Sequence, residues 1–351
     1  MAFGVLESAI SISLIPLISA YGFITLYQRK KINKNKQMRL QHLNPYEQQN
    51  YIISNATEII NKYNTIPTNY VVDYRGKEIV RPYMEQLVNS LGNDIRIAKK
   101  NFSTLRVEHS KKLDITGAVG TYNGSENIIK YVKNTASILG HEMLHMASYM
   151  YNEQTDTHHH GFMQQKGEAK IGFGLNEGYT ELLASRMFNN GKVSGYPRLV
   201  RIVKLLEDFF PNPQMVSHYY FTCNLPSFIH NLERYCTRTE INEILFGLDE
   251  LYDYEYTMSN PLAAIKETQL ATKIYSIYER NFATEQTRVK SFQTKASENK
   301  LTALAISGKK FSLQRNNPFR RIKTGIQNGF RKVKNFFTGN ATPTPQPAYT
   351  R

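Results

Sequence analysis

Apolar and polar positions divide the 351-residue chain into three regimes. The first is residues 8–28, which carry no charge and are rich in Ile, Leu, Ala, Phe and Tyr. As a helix this run would be about 31 Å long, enough to cross the hydrocarbon core of a bilayer. Pro16 and Gly22 are tolerable in a membrane helix. The second regime is mixed. Residues 40–66 read as a helix, with Ile52, Ile53, Ile59 and Ile60 in helical spacing. Residues 70–74 (YVVDY) read as a short strand, and 77–91 as a helix with Pro82 at a kink or boundary. Residues 105–108 and 115–122 read as strands, the second ending at the turn signal Asn123-Gly124. From Asn134 onward the pattern is almost wholly helical, with breaks at 154–174, at Pro211-Asn212-Pro213, at Pro226 and around Asn260-Pro261. The third regime is the tail. In residues 318–337, Phe319, Ile322, Ile326, Phe330, Val333 and Phe337 recur every three or four positions among basic side chains. Residues 338–351 are Pro/Thr-rich and read as disordered.

These regimes predict an α+β protein in four parts: an N-terminal anchor with its basic flank (1–39), a mixed subdomain (40–190), a helical subdomain (191–300) and a basic tail (301–351). Charge sharpens the division. The formal net charge is +15, yet residues 28–39 hold six basic side chains and no acid, and 300–351 hold eleven and no acid. With Glu7 subtracted, residues 40–299 are left at −1. A near-neutral body between basic ends does not fit a protein that packages nucleic acid with its whole surface. The positive cluster follows the apolar run, so the positive-inside tendency puts the amino terminus outside and everything after residue 28 in the cytoplasm. A cleaved signal peptide would want that charge before the run, where MAFGVLE has none. The basic amphipathic stretch 318–337 suits an anionic membrane surface. In the absence of a nucleic-acid-binding motif, membrane is the expected partner and nucleic acid is not. Cys223 and Cys236 are too few, and wrongly spaced, for a disulfide scaffold or a zinc ribbon, and read as buried or free thiols.

The chemistry concentrates in two segments. Residues 135–151, TASILGHEMLHMASYMY, contain His141-Glu142-Met143-Leu144-His145. On a helix, residues four apart share a face, so both imidazoles can meet one metal ion, with Glu142 beside them to reach a water on it. Residues 173–188, FGLNEGYTELLASRMF, place Asn176-Glu177 four residues ahead of Glu181 in a helix otherwise made for burial. Catalytic zinc usually has three protein ligands and an open position. Glu177 would complete a His₂Glu set, and Glu181, one turn on, could fix the tautomer of a ligand histidine.

On these residues the chain resembles the gluzincin group of zinc metallopeptidases, whose pattern is an HExxH helix followed by a second helix with a Glu ligand in an NExxS/T-D/E context. HEMLH and NEGYTE match both halves, over roughly residues 103–190. The resemblance implies a zincin-like core with Zn2+ held by His141, His145 and Glu177. It implies Glu142 as general base and acid, with Asn176 and Glu181 supporting the ligands. It further implies that the strand before the first helix pairs with substrate backbone, which would be Gly117, Ala118, Val119 and Gly120. A metzincin arrangement fails because Ser148 and Tyr151 stand where Gly and His are needed. The triplet His158-His159-His160 is an alternative metal cluster, but it lies in a polar stretch that reads as a loop.

The expected function is therefore a membrane-anchored, zinc-dependent peptidase working through a zinc-activated water on a peptide or protein substrate. The expected location is a single-pass membrane protein with a cytoplasmic catalytic domain. The alternative is an inactive membrane-associated binding protein on the same fold. A donor to the tetrahedral oxyanion is also needed. His218, in SHYYFT, is the candidate, with Tyr219, Tyr220 or Tyr179 as substitutes.

Overall fold

The computed structural model describes residues 56–111, 119–167, 169–255 and 261–298, together with 303 and 306. The apolar run 8–28, the basic flank 28–39, the start of the 40–66 helix, Gly117, Ala118 and the tail from 307 onward lie outside the described residues. Among the described residues no helix is long and apolar enough to cross a membrane.

The described residues form a mixed α+β structure with two small sheets. Helix α1 (Ala56–Thr65) buries Ile59, Tyr63 and the following Ile66 against Ile97, Met150 and Cys223. The strand expected at 70–74 does not form: these residues are irregular, and Val71 is 79% exposed. Among the described residues, no strand pairs with its β-branched positions. Asp73 turns back onto the Arg75 amide at 3.0 Å, and Tyr74 packs edge-on against Phe102. A single 3-10 turn leads into α2 (Arg81–Leu91), where Pro82 occupies the first turn. It starts the helix there instead of kinking one, because an N-terminal position has no intrahelical N–H bond to lose. Helix α3 (Arg96–Thr104) follows, with Ile97, Ala98 and Phe102 buried.

The first sheet has order β1-β3-β2: β1 (Arg106–His109) runs parallel to β3 (Ile128–Tyr131), and β2 (Gly120–Asn123) runs antiparallel to β3 on its other side. Among the described residues, strand β2 is thus an edge. Helix α4 (Ala136–Ala147) starts at Thr135, whose side chain accepts from the Ile138 amide, and it is buried from Leu139 to Ala147.

The stretch after α4 departs from the sequence expectation. Residues 149–171 form a four-stranded antiparallel meander, β4 (Tyr149–Asn152), β5 (Thr157–His160), β6 (Met163–Lys166) and β7 (Ala169–Ile171), paired in chain order. The histidine triplet is strand β5, not a loop. Its alternation is concealed because the inward positions are themselves polar: Thr157, His159 and Gln164 are all buried. A period of two in burial therefore leaves no period of two in hydropathy.

Helix α5 (Phe173–Phe188) begins after Gly172, which sits at φ +74°, and is buried from Gly174 to Ser185. The remainder is helical: α6 (Pro197–Glu207), α7 (Pro213–Phe221), α8 (Leu225–Leu232), α9 (Arg238–Glu255), α10 (Pro261–Phe282) and α11 (Gln286–Ala296). Prolines 213, 226 and 261 each fall in a first helical turn, as the breaks in the pattern anticipated, and so does Pro197, where no break was expected. Both cysteines are free and buried.

Helix α5 is locked to α9 at its first turn. The Gly174 amide donates to Asp249 Oδ1 at 2.7 Å, and a β-carbon at Gly174 would fall 2.2 Å from the Leu248 carbonyl oxygen. Gly→Ala inside a helix ordinarily stabilises by up to about 1 kcal/mol. Here the obstacle is backbone, so Gly174→Ala should instead destabilise by about 1–3 kcal/mol. Thermal denaturation checks this: the melting temperature should fall by several degrees, and an unchanged or raised value would contradict the packing described.

Candidate metal centre

Helices α4 and α5 pack together and bring the two sequence segments to one point. His141 Nε2 lies 3.0 Å from His145 Nε2 and 3.4 Å from Glu177 Oε2, and His145 Nε2 lies 3.4 Å from Glu177 Oε1. All three side chains are buried, and one donor atom from each lies within 4.8 Å of the others. Ligands about 2.0–2.2 Å from a tetrahedral zinc stand roughly 3.3–3.6 Å apart. The two nitrogen–oxygen separations fall in that range, and the nitrogen pair, at 3.0 Å, is shorter than its lower end. The donor set fits too. His141 Nδ1 faces Glu181 Oε2 at 3.1 Å. With the proton on that nitrogen, Nε2 presents a lone pair to the centre, where a histidine lone pair and a carboxylate converge as they would on a cation. His141, His145 and Glu177 are therefore near enough to one another, and of the right chemistry, to hold a metal ion.

The electrostatics agree. Burial disfavours a charged His141, yet its hydrogen bonds to Glu177 and Glu181 outweigh burial and carry its pKa up to about 10. Burial likewise opposes ionisation of Glu177, but the neighbouring His145 and His141 hold its carboxyl well below the usual range. The centre thus favours positive charge between its carboxylates. Glu142, next to His141 on α4, is shifted in the other direction. Burial pushes its carboxyl above the ordinary range, against the pull of the two histidines. It accepts a hydrogen bond from the backbone of Tyr122 on β2. The approach is close: a β-carbon at Gly120 would lie 2.9 Å from Glu142 Oε1 and 2.6 Å from Ile138. Glycine at 120 is what allows the edge strand to lie directly on the helix.

The supporting residues divide by what they hold. Glu181 is buried and bonds His141 as described. Asn176 is also buried, and its Oδ1 accepts the Phe162 amide at 3.2 Å, which ties α5 to the β5–β6 turn. Val119 is 43% exposed at the head of β2, where its carbonyl accepts the Val132 amide.

His218 is engaged elsewhere. It lies on α7, half exposed, with Nδ1 2.9 and 3.0 Å from the two carboxylate oxygens of Asp94. That hydrogen bond raises its pKa against partial burial. Of the substitutes, Tyr219 accepts from Asn231 Nδ2, Tyr220 shares a 2.7 Å hydrogen bond with Thr180, and Tyr179 packs edge-on against Phe162. Two further residues stand near the ligands: Tyr196, which the sequence did not single out, and His160 of the histidine triplet. The Tyr196 ring lies 6.1 Å from the His141 ring, and burial with the nearby Glu177 carboxylate keeps its hydroxyl protonated. His160, from the triplet, packs 4.5 Å from Tyr149, and burial together with His145 lowers its pKa to about 3. Neither carries a motif. The available signal for Tyr196 was its place before Pro197, at the head of a helix that follows the second motif closely.

No family model, curated protein or solved structure matches the chain.

Purified protein should hold about one zinc ion per chain by elemental analysis. Removing the partner that orients a ligand histidine typically weakens metal affinity 10- to 100-fold. Glu181→Ala should do so in a competitive chelator titration, and wild-type affinity in that variant would contradict the role given to Glu181.

Proposed function

We propose that the chain is a zinc-dependent peptidase built on a zincin-like core. The observation that carries the reading is the three-ligand cluster on α4 and α5 with Glu142 beside it, directly beneath the sheet edge β2. A zinc ion held by His141, His145 and Glu177 would polarise a scissile carbonyl and make water a competent nucleophile near neutral pH. The chain's own residues supply the rest. Glu142 takes a proton from the attacking water and returns it to the leaving amine. Its burial beside the edge strand keeps that proton from bulk solvent. Glu181 holds the His141 ring so that Nε2 faces the centre. Strand β2 has β3 as its one strand partner among the described residues, so its outer edge can take an extended peptide by strand addition. Val119 and Gly120 belong to that edge. Tyr196 replaces His218 as the donor to the developing oxyanion, because its ring stands at His141 while His218 is committed to Asp94.

The membrane tether rests on the composition of residues 8–28 and the basic residues that follow. It places this chemistry at the cytoplasmic face of a bilayer, with the tail 318–337 as a second contact.

Glu142→Gln is nearly isosteric and leaves the three ligands in place. On a broad peptide library it should lower hydrolysis by about 10²–10⁴-fold, the usual contribution of a positioned general base. Zinc content should stay at that of the wild type. Undiminished hydrolysis would contradict the assignment. Wild type and variant alike inert, with metal bound, would favour a binding protein on the same scaffold.

A further inference from the structure

The Glu181 carboxylate holds two different parts of the molecule. Oε2 lies 3.1 Å from His141 Nδ1. Oε1 accepts three hydrogen bonds from the segment between α5 and α6: the Ser194 amide at 2.6 Å, the Gly195 amide at 2.9 Å and the Ser194 hydroxyl at 3.0 Å. Glu181 is only 3% exposed, so these bonds form with little competition from water.

The same segment returns to His141 from another side through Tyr196, whose ring is tilted 40° to the imidazole at 6.1 Å. Tyr196 holds φ +48° and ψ +46°, a left-handed conformation that an aromatic side chain rarely adopts. It also directly precedes Pro197, which disfavours helical ψ values in the residue before it. Such a conformation persists only where the surroundings enforce it. Here the Tyr196 ring packs 5.4 Å from Tyr252, which meets Phe173 edge-on at 4.5 Å. Behind it, the Arg198 and Leu199 amides bind the Glu255 carboxylate at 2.8 and 3.2 Å. The other end of the segment turns through Asn190 at φ +48° and Gly191 at φ +78°. Between these ends Lys192 and Ser194 are exposed.

We infer that residues 189–196 form a strap whose closure is coupled to metal occupancy at His141, with Ser194 as the positioning residue that transmits the coupling. The inference rests on the metal site of His141, His145 and Glu177, and is independent of whether the chain hydrolyses peptides. An ion on His141 Nε2 fixes the plane of the imidazole and leaves Nδ1 as its one N–H donor. That donor holds Glu181 Oε2, and the carboxylate so held presents Oε1 to the strap. Without the ion the imidazole is held by its contacts with Glu181, Glu177 and His145 alone, which restrain rotation about its Cβ–Cγ bond less firmly than a metal bond does. The inner anchor of the carboxylate is then looser, and so is the acceptor for three of the strap's donors. By reciprocity, a closed strap strengthens metal binding by the same factor. Closure also brings Tyr196 to its place at His141, so the ion favours the position of the group assigned to the oxyanion.

Hydrogen exchange on the full chain, with zinc and after chelation, reads the coupling directly. The Ser194 and Gly195 amides should exchange roughly 5- to 150-fold faster after zinc removal, the usual range for coupled sites, while amides of α10 and α11 keep their rates. In a chelator titration, Ser194→Ala should weaken zinc binding roughly two- to twelvefold, the equivalent of one net hydrogen bond. Ser194→Thr, which keeps the hydroxyl, should restore it. The Ser194 side chain is exposed, so neither substitution removes a core contact. Equal exchange at Ser194 and Gly195 with and without zinc, or wild-type affinity in Ser194→Ala, would overturn the coupling. Absence of any zinc binding would overturn the coupling and the metal site together.

Discussion

Two imidazole nitrogens and a carboxylate face one another at 3.0–3.4 Å inside a buried pair of helices, and the rest of the structure is organised around that contact. Polar groups removed from water must find partners, and charged ones most of all. Helices are the elements able to present them there, because each satisfies its backbone internally and leaves the side chains as the main remaining demand. A cation at the centre meets that demand. The surrounding fold then has two tasks: to keep α4 and α5 in register, and to give each remaining polar atom a partner.

Both tasks are visible in the packing. Thr135 caps α4 ahead of its histidines, and the Gly174 contact with the α9 backbone fixes where α5 begins. Asn176 joins α5 to the meander, and Glu181 joins it to the segment 189–196. On the opposite side of the centre, Gly120 lets a sheet edge approach Glu142 without an intervening side chain. The result is a centre with a buried acid on one side, a tyrosine held in a left-handed conformation on another, and the edge strand of a sheet nearby, unpaired on its outer side among the described residues. Nucleophile activation, oxyanion stabilisation and substrate alignment each have a residue in place within the proposed function.

The sequence made parts of this legible for physical reasons. His141, Glu142 and His145 could be read because a spacing of four on a helix translates directly into proximity. Glu177 and Glu181 could be read because acids inside an apolar helix need an explanation. The proline breaks translated into helix starts because proline tolerates the first turn and little else. The meander at 149–171 was hidden because His159 and Gln164 point inward, so burial alternates where hydropathy does not. The 70–74 segment reads as a strand by propensity, yet a strand exists only where another strand pairs with it. Tyr196 and His160 come to the ligands through tertiary packing, which no local spacing encodes, and His218 is drawn to Asp94 by a partner 124 residues away.

The net charge of +15 belongs to the ends of the chain, while residues 40–299 sum to −1. The field at the centre is therefore local, set by Glu177, Glu181 and Glu142 around two histidines, and the claim that these residues hold one metal ion can be tested on the ion itself. X-ray absorption at the zinc edge of the loaded protein is the most direct measurement. The account predicts a first shell of nitrogen and oxygen at about 2.0–2.2 Å, four-coordinate, with the outer-shell signature of two imidazoles and no sulfur. A sulfur shell at about 2.3 Å, or an oxygen-only shell without imidazole scattering, would contradict it.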